Sequence, residues 1–236
     1  MRNLAVIPAR GGSKRISKKN IKLFHGKPII SWVIEMSLET DFFDHVIVST
    51  DSEEIAQISR SFGAQTPFVR PKSISDDNTS VFEVVRHAIN YFNEKNQIFD
   101  LVTLIYPTAP FAEKTDIKRA INSINDYDFS ISVTLFPYPI QRALKVDDDT
   151  DTVSMVEKHN FLKRSQDLPS RYHDAGQFVV GKTKSWQEKT PLIEGKTLPI
   201  IVPRIRVQDI DEDEDWQEAE AKFSFIRDYN IKNKRF

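Results

Sequence analysis

A chain of 236 residues with 39% hydrophobic side chains has room for one α/β domain, or one domain with a modest subdomain. Its formal net charge of −1 gives no molecule-wide field to draw in nucleic acid, so any anion site must come from a local cluster of cations. The absence of cysteine excludes disulfides, thiolate catalysis and cysteine-ligated zinc.

Leu4-Ala5-Val6-Ile7 reads as a short buried strand entered almost at once, with no apolar signal core before it. No later apolar run approaches a membrane span, so a cytoplasmic protein without a membrane partner is expected. The strand empties into Pro8-Ala9-Arg10-Gly11-Gly12-Ser13-Lys14-Arg15, with Lys18-Lys19-Asn20 close behind. Paired glycines are expected to take positive φ and turn their N–H groups toward one point. Arg10 and Lys14 add full charge around that point, which suits a polyphosphate. The spacing fits neither Gly-x-x-x-x-Gly-Lys-Ser/Thr nor Gly-x-Gly-x-x-Gly, so the nucleoside-triphosphatase loop and the dinucleotide fingerprint are both excluded. A loop at the end of a first strand lies where open α/β sheets place their ligands.

Further along, Pro28 opens a helix carried by Ile29, Ile30, Val33 and Ile34. A strand follows at His45 to Ser49, then Thr50-Asp51 as a cap for a helix through Ile55, Ile58 and Phe62. Val81, Val84, Val85, Ala88, Ile89 and Phe92 form one apolar helical face within Thr79 to Phe92. Asp100 to Tyr106 is a buried strand, Asp116 to Ile124 an amphipathic helix and Phe129 to Val133 another strand. Periodicity then loosens over 136–172, which contains Phe136-Pro137-Tyr138-Pro139 and the acidic run Asp147-Asp148-Asp149. Such an excursion covers an active site, pairs with a second subunit or is a surface loop. A strand at Gln177 to Val180 and a helix at Glu214 to Tyr229 return the chain to the domain. Alternating strands and helices predict a Rossmann-like α/β fold, a mostly parallel sheet with helices on both faces and right-handed crossovers.

With these residues in view, the chain resembles the acylneuraminate cytidylyltransferase family, the CMP-sugar synthetases. The opening Ala-Arg-Gly-Gly-Ser-Lys of that family matches Ala9 to Lys14, and its Lys-Asn matches Lys19-Asn20. Its Arg-Pro segment matches Phe68-Val69-Arg70-Pro71, its Pro-Thr-Ser-Pro element Pro107-Thr108-Ala109-Pro110, and its Asp-Ile-Asp motif Asp209-Ile210-Asp211. These matches run in order over nearly the whole chain. Tyr106 stands where sialic-acid enzymes carry Gln, Arg15 where they commonly carry Gly, and His173-Asp174-Ala175-Gly176-Gln177-Phe178 where they carry Asn-Gly-Ala. These departures resemble the branch of the family that takes pseudaminic acid.

The resemblance implies one cytidylyltransferase domain over 1–236, of the nucleotide-diphospho-sugar transferase type, with 136–172 as an inserted dimerisation or lid segment. It implies a cytidylyltransferase that joins CTP to an acidic nine-carbon sugar in a homodimer, for surface glycan synthesis. Ala9, Arg10, Gly11, Gly12, Ser13, Lys14, Asn20, Arg70 and Ser80 are then the nucleotide residues, with Arg10 and Lys14 also catalytic. Asn20 and Arg70 offer donors and an acceptor that fit cytosine; taken alone, Asn20 is more often a helix cap and Arg70 an ordinary surface residue, and Ser80 suits a cap before Val81 at least as well. Asp209 and Asp211, two positions apart in an extended segment, would hold Mg²⁺, with Asp211 also a proton acceptor for the sugar hydroxyl. For the sugar, Arg171 is expected to face the carboxylate, Gln177 to read hydroxyl or acylamido groups, and Tyr106 and Thr108 to complete the pocket, with Phe178 as an apolar wall. His173 is read as a structural histidine, and Asp213 and Asp215 as an acidic helix start. The alternatives are a CMP-sialic or CMP-legionaminic acid synthetase and, in another class, a non-catalytic nucleotide-sensing module. Release of pyrophosphate separates the last from an enzyme.

Overall fold

The alternation of side chains along β1 (Asn3–Pro8) sends Ala5 and Ile7 to one face and Leu4 and Val6 to the other, and all four are fully buried. A strand buried on both faces must be central, and β1 is. The computed structural model of the chain describes residues 1–193 and 195–233. After β1 come a small hairpin, β2 (Leu23–Phe24) and β3 (Lys27–Pro28), then α1 (Ile29–Leu38), β4 (His45–Ser49), α2 (Glu53–Ser61) and α3 (Val81–Asn93). β5 (Leu101–Ile105), α4 (Lys114–Ser123) and β6 (Phe129–Leu135) follow. The chain then makes the hairpin β7 (Leu144–Asp147) and β8 (Thr152–Met155), and ends with β9 (Tyr172–Lys182), α5 (Thr183–Gln187), β10 (Thr197–Ile201) and α6 (Asp213–Asn233).

The six-stranded sheet has the order β10-β6-β9-β5-β1-β4, with β9 antiparallel to both its neighbours and the other pairs parallel. β9 reaches the sheet without a crossover helix, by way of the β7–β8 excursion, so it runs against β6. One face of the sheet carries Ile30, Val33 and Ile34 of α1, Ile55 of α2 and Ile117 and Ala120 of α4. The other carries Val85, Ala88, Ile89 and Phe92 of α3 and Trp186 of α5. Each large apolar side chain so buried contributes about 1.5–3 kcal/mol. No helix among the described residues is long and apolar enough to cross a membrane.

A third cluster positions the site. Phe24, Ile29 and Phe111 meet Trp216, Ala219 and Phe223 of α6, with Ile16 and Ile210 buried among them. This cluster carries the far end of the chain back to the first loop. The order of the strands also reverses at β1: the chain goes first to β4 on one side and later to β5 on the other. Crevices at such a switch point, beyond the carboxyl ends of the strands, are where open α/β sheets hold ligands. Here that crevice lies between the segments after Pro8 and after Ile105.

Several element ends shift by a few residues from the sequence reading, most of all at β9, which begins at Tyr172 rather than Gln177, and two local readings change. Ser52 rather than Thr50-Asp51 caps α2, its Oγ accepting from the Ile55 N–H at 3.4 Å, and the carboxylate of Asp51 is left to the first loop. The acidic run at Asp147 forms the turn of the β7–β8 hairpin, where Asp147 Oδ1 accepts the N–H groups of Asp149 and Thr150.

Candidate active site

The ladder between β1 and β4 extends one residue into the loop, where the Ala9 N–H donates to the Ser49 carbonyl at 2.9 Å. The Gly11 N–H then donates to Asp51 Oδ1 at 2.9 Å, and the Ser13 N–H to the Gly11 carbonyl at 3.1 Å. Neither Gly11 nor Gly12 has positive φ, contrary to the expectation from their pairing. Glycine serves close approach instead: a Cβ on Gly11 would stand 3.1 Å from the Ser52 Cβ. A Cβ on Gly12 meets no atom within 4 Å, and its N–H has no acceptor among the described residues.

This loop forms one wall of a cleft of about 510 Å³ that contains Arg10, Ser13, Lys14, Arg15, Lys19, Asn20, Arg70 and Thr79. Asp77, on the arm between Arg70 and α3, reaches across it to Arg10 at 2.5 Å and to Lys14. Those two cations hold the Asp77 carboxyl below the usual range, the hydrogen bond from Lys14 first and that from Arg10 second. Asn20, 5% exposed, fixes the loop by donating Nδ2 to the Arg10 carbonyl at 3.0 Å. The Arg70 side chain is 4% exposed, donates Nε to Ser75 Oγ at 3.1 Å and lies 3.9 Å from Asp51. Burial works against its charge and Asp51 supports it. Ser80 takes the other role open to it: exposed, outside the cleft lining, it caps α3 by accepting from the Phe82 N–H at 3.2 Å.

A second cleft, of about 740 Å³, adjoins the first, and Tyr106 and Thr108 line both. Burial, followed by the charges of Asp174 and Asp209, pushes the Tyr106 phenol up to about 12, so it stands as a hydrogen-bond donor. Asp174 keeps an edge in solvent, yet its withdrawal into the cleft wall raises its carboxyl, against the Gly176 N–H that Oδ1 accepts at 2.8 Å. Gly176 has φ +62°, and this turn sits beside a register shift between β6 and β9. Arg204, Asp209, Lys222 and His173 complete the wall. The His173 Nδ1 lies 2.8 Å from the Asp174 carbonyl and its ring packs on Phe136.

Three of the expected sugar contacts lie elsewhere. Arg171 is exposed at the start of β9, where its carbonyl accepts from the Phe136 N–H, and it is outside the lining of both clefts. Gln177, 2% exposed, turns away from the cleft and donates Nε2 to the Arg206 carbonyl at 2.5 Å. Phe178 is wholly in the core between β5 and β6. The cation that does face this cleft is Arg204, which forms no ion pair among the described residues; Lys222 is held by Gln208 and the Val207 carbonyl.

Ile210 is buried under α6, and its two neighbours have different surroundings. Asp209 lines the second cleft, whereas Asp211 Oδ1 accepts from Arg15 at 2.6 Å and Lys19 at 3.3 Å, both residues of the first. Asp215, in the first turn of α6, reaches back to the segment before the helix, its Oδ2 accepting the N–H groups of Asp211 and Glu212 at 2.9 and 2.8 Å, while Asp213 pairs with Lys22. Among the described residues no three His, Cys, Asp or Glu side chains gather as a metal cage. The donor set nonetheless fits Mg²⁺, which binds through one or two carboxylates plus substrate phosphates. Asp209 has no ion-pair partner among the described residues, and both cations on Asp211 use Oδ1, leaving Oδ2.

Asp77, Asp174 and Arg204 were not anticipated. Asp76-Asp77-Asn78-Thr79-Ser80 has the composition of a turn and cap, and only tertiary folding carries Asp77 over the loop. Arg204 did have a signal: the alternation Arg204-Ile205-Arg206 just before Asp209-Ile210-Asp211.

With that geometry in hand, comparison with known proteins gives one consistent result. The profile of the cytidylyltransferase family matches residues 4–231. A pseudaminic acid cytidylyltransferase of Campylobacter jejuni is 43% identical over 225 residues, covering 94% of this chain and 97% of that one. An N-acylneuraminate cytidylyltransferase of Escherichia coli is 29% identical, covering 92% of this chain and 51% of that one. Among solved structures, CMP:2-keto-3-deoxy-manno-octonic acid synthetase complexed with CTP superposes with a TM-score of 0.67 at 16% identity, covering 95% of this chain and 99% of the other. The 4-diphosphocytidyl-2C-methyl-D-erythritol synthase of Anaerococcus prevotii gives 0.63, also at 16%, over 94% and 98%. Likeness at that identity is a likeness of fold.

Proposed function

The chain belongs to the cytidylyltransferase family, and on that premise we propose that it condenses CTP with a nonulosonic acid, pseudaminic acid in preference, to give a CMP-sugar and pyrophosphate. The observation that carries this reading is the junction of the two clefts. A nucleotide among the cations of the first and an acidic sugar in the second meet at Tyr106 and Thr108, which line both. The names of the relatives support the choice of sugar.

In this reading Asn20 and Arg70 hold the base, and Arg10, Lys14 and the Gly12 N–H hold the phosphates. The anomeric hydroxyl gives its proton to Asp211, directly or through water, and its oxygen attacks the α-phosphorus; the bond from that phosphorus to the bridging oxygen breaks, and pyrophosphate takes the electron pair. Charge grows on the departing oxygens, so cations fixed there favour the transition state over the ground state. Arginine grips phosphate oxygens with two donors, and lysine follows them as a mobile point charge. Asp209 and Asp211 would hold Mg²⁺, which when bound supplies further positive charge to the triphosphate. Arg204 faces the sugar carboxylate, and the protonated Tyr106 donates to a hydroxyl or acylamido oxygen.

The same reading includes a cytoplasmic homodimer. Supporting it, the β7–β8 hairpin leaves Leu144, Val146 and Val153 exposed on one face, with Val146 opposite Val153, an apolar surface that a second copy would cover.

Pyrophosphate release tests the reaction. It should require CTP, Mg²⁺ and a sugar acid together, and UTP should not replace CTP. A protein that only senses nucleotides releases none with any sugar acid, and that result would sink the proposal.

A further inference from the structure

Asp77 occupies a position that a structural role does not explain. Its neighbour Asp76 is satisfied within its own turn, accepting from the Asn78 N–H, the Thr79 N–H and the Thr79 hydroxyl. Asp77 makes no such local bond. Its partners among the described residues lie across the cleft: Arg10 on one carboxylate oxygen and Lys14 on the other. Two anionic oxygens shared between an arginine and a lysine reproduce the way a phosphate sits on the same pair. The arm that carries Asp77 begins at Arg70, tied to it through Ser75, and ends at the α3 cap, Ser80. An anion in this seat is therefore linked by a short tether to a residue that lines the base end of the same cleft.

We propose that Asp77 is an internal competitor for the triphosphate subsite, a carboxylate that the nucleotide must displace from Arg10 and Lys14 and that thereby sets how much negative charge a ligand needs to enter. The inference rests on the reading that Arg10 and Lys14 hold phosphates. Asp77 offsets one of the two positive charges and orders both cations while the nucleotide is absent. A ligand with little charge gains too little from Arg10 and Lys14 to dislodge it, whereas a triphosphate, with several charges, does so. Arg15 and Lys19, which line the same cleft, are likewise paired with a carboxylate, that of Asp211, which in the proposed reaction stays in place to hold Mg²⁺. The four cations face two carboxylates before any ligand arrives, and the remaining positive charge favours the most anionic guest.

The test is calorimetric titration of the full-length chain with CTP, inorganic tripolyphosphate and cytidine in the presence of Mg²⁺, for the wild type, Asp77→Asn, Asp77→Ser and Lys14→Gln. Thermal melts confirm that each variant is folded. Two exposed ion pairs lost on displacement correspond to tightening of about 3- to 10-fold. Both Asp77 variants should bind CTP and tripolyphosphate more tightly by that factor, with cytidine unchanged and the gain shrinking as salt is raised. Asp77 variants that are folded and bind CTP equally or more weakly overturn the proposal, and weaker binding would mark Asp77 as a ligand or positioning group instead. Lys14→Gln separates this failure from that of the functional reading. If it leaves CTP binding unchanged, Arg10 and Lys14 are not the phosphate seat; if it weakens CTP while Asp77→Asn fails to tighten it, only the competitor role falls.

Discussion

Replacing Lys14 or Arg10 by Gln removes a full charge from the cleft wall on which the proposed reaction releases pyrophosphate. Each change should raise the barrier by about 2–4 kcal/mol, the scale seen when one donor to a developing anion is removed, which is roughly 30- to 1,000-fold in kcat. Steady-state turnover at saturating CTP measures it, and a loss confined to KM would mean ground-state binding only. Tyr106 makes a separate demand. Its phenol is pushed up to about 12, by burial first, so it stays protonated well past the ordinary tyrosine value of about 10. Tyr106→Phe should therefore raise KM for the sugar without altering the alkaline limb of the pH–rate profile. A fall in wild-type activity near pH 10 that the phenylalanine variant lacks would contradict this. That Arg10, Lys14, Asn20 and Arg70 line one cleft was legible in the sequence, because each belongs to a local run rich in cations or amide groups near the end of a strand. Asp77 and Arg204 were not, because what matters in them is the group they face across a gap, and no local pattern encodes that. Gln177 shows the reverse error: its chemistry suited a sugar, but its place in β9 turns it under Arg206.

At the scale of elements, the first turn of α6 is the most exposed to test. Asp215 accepts two N–H groups, which hold its carboxyl below the usual range, the Asp211 N–H first. A lowered folded value means that this carboxylate stabilises the fold above its unfolded value, about 3.9, and that the contribution disappears as pH falls through the lower folded one. Asp215→Ala should cost about 1 kcal/mol at neutral pH, a Tm loss of about 2–4 °C, and the difference from wild type should close in acid. The same substitution frees the segment that carries Asp209 and Asp211, so the Mg²⁺ concentration at half-maximal rate should rise in parallel. Most strands and helices were legible from period alone: Leu4, Val6, Ala5 and Ile7 declare β1, and Val85, Ala88, Ile89 and Phe92 declare α3. β10 was not, since Pro199 interrupts its pattern, and an edge position is what makes that proline tolerable. The antiparallel sense of β9 was hidden for a different reason. Direction depends on how the chain returns from the β7–β8 excursion, and that path has no periodic signature.

For the whole molecule, the reversal of strand order at β1 is what makes one site from distant residues. It brings the loop after Pro8 beside the segment after Ile105, and α6 folds Asp209 and Asp211 against both. The exposed apolar hairpin belongs to this scale as well. Light scattering at micromolar concentration should give twice the chain mass, and Val146→Asp should shift it toward the monomer; a fully active wild-type monomer contradicts the dimer. The central claim is that the two adjoining clefts together join CTP to pseudaminic acid. Mass spectrometry of the products from CTP and Mg²⁺ with an equimolar mixture of pseudaminic, sialic and legionaminic acids tests it most directly. CMP-pseudaminic acid should be the dominant product; CMP-sialic acid in excess, or no CMP-sugar at all, would contradict this.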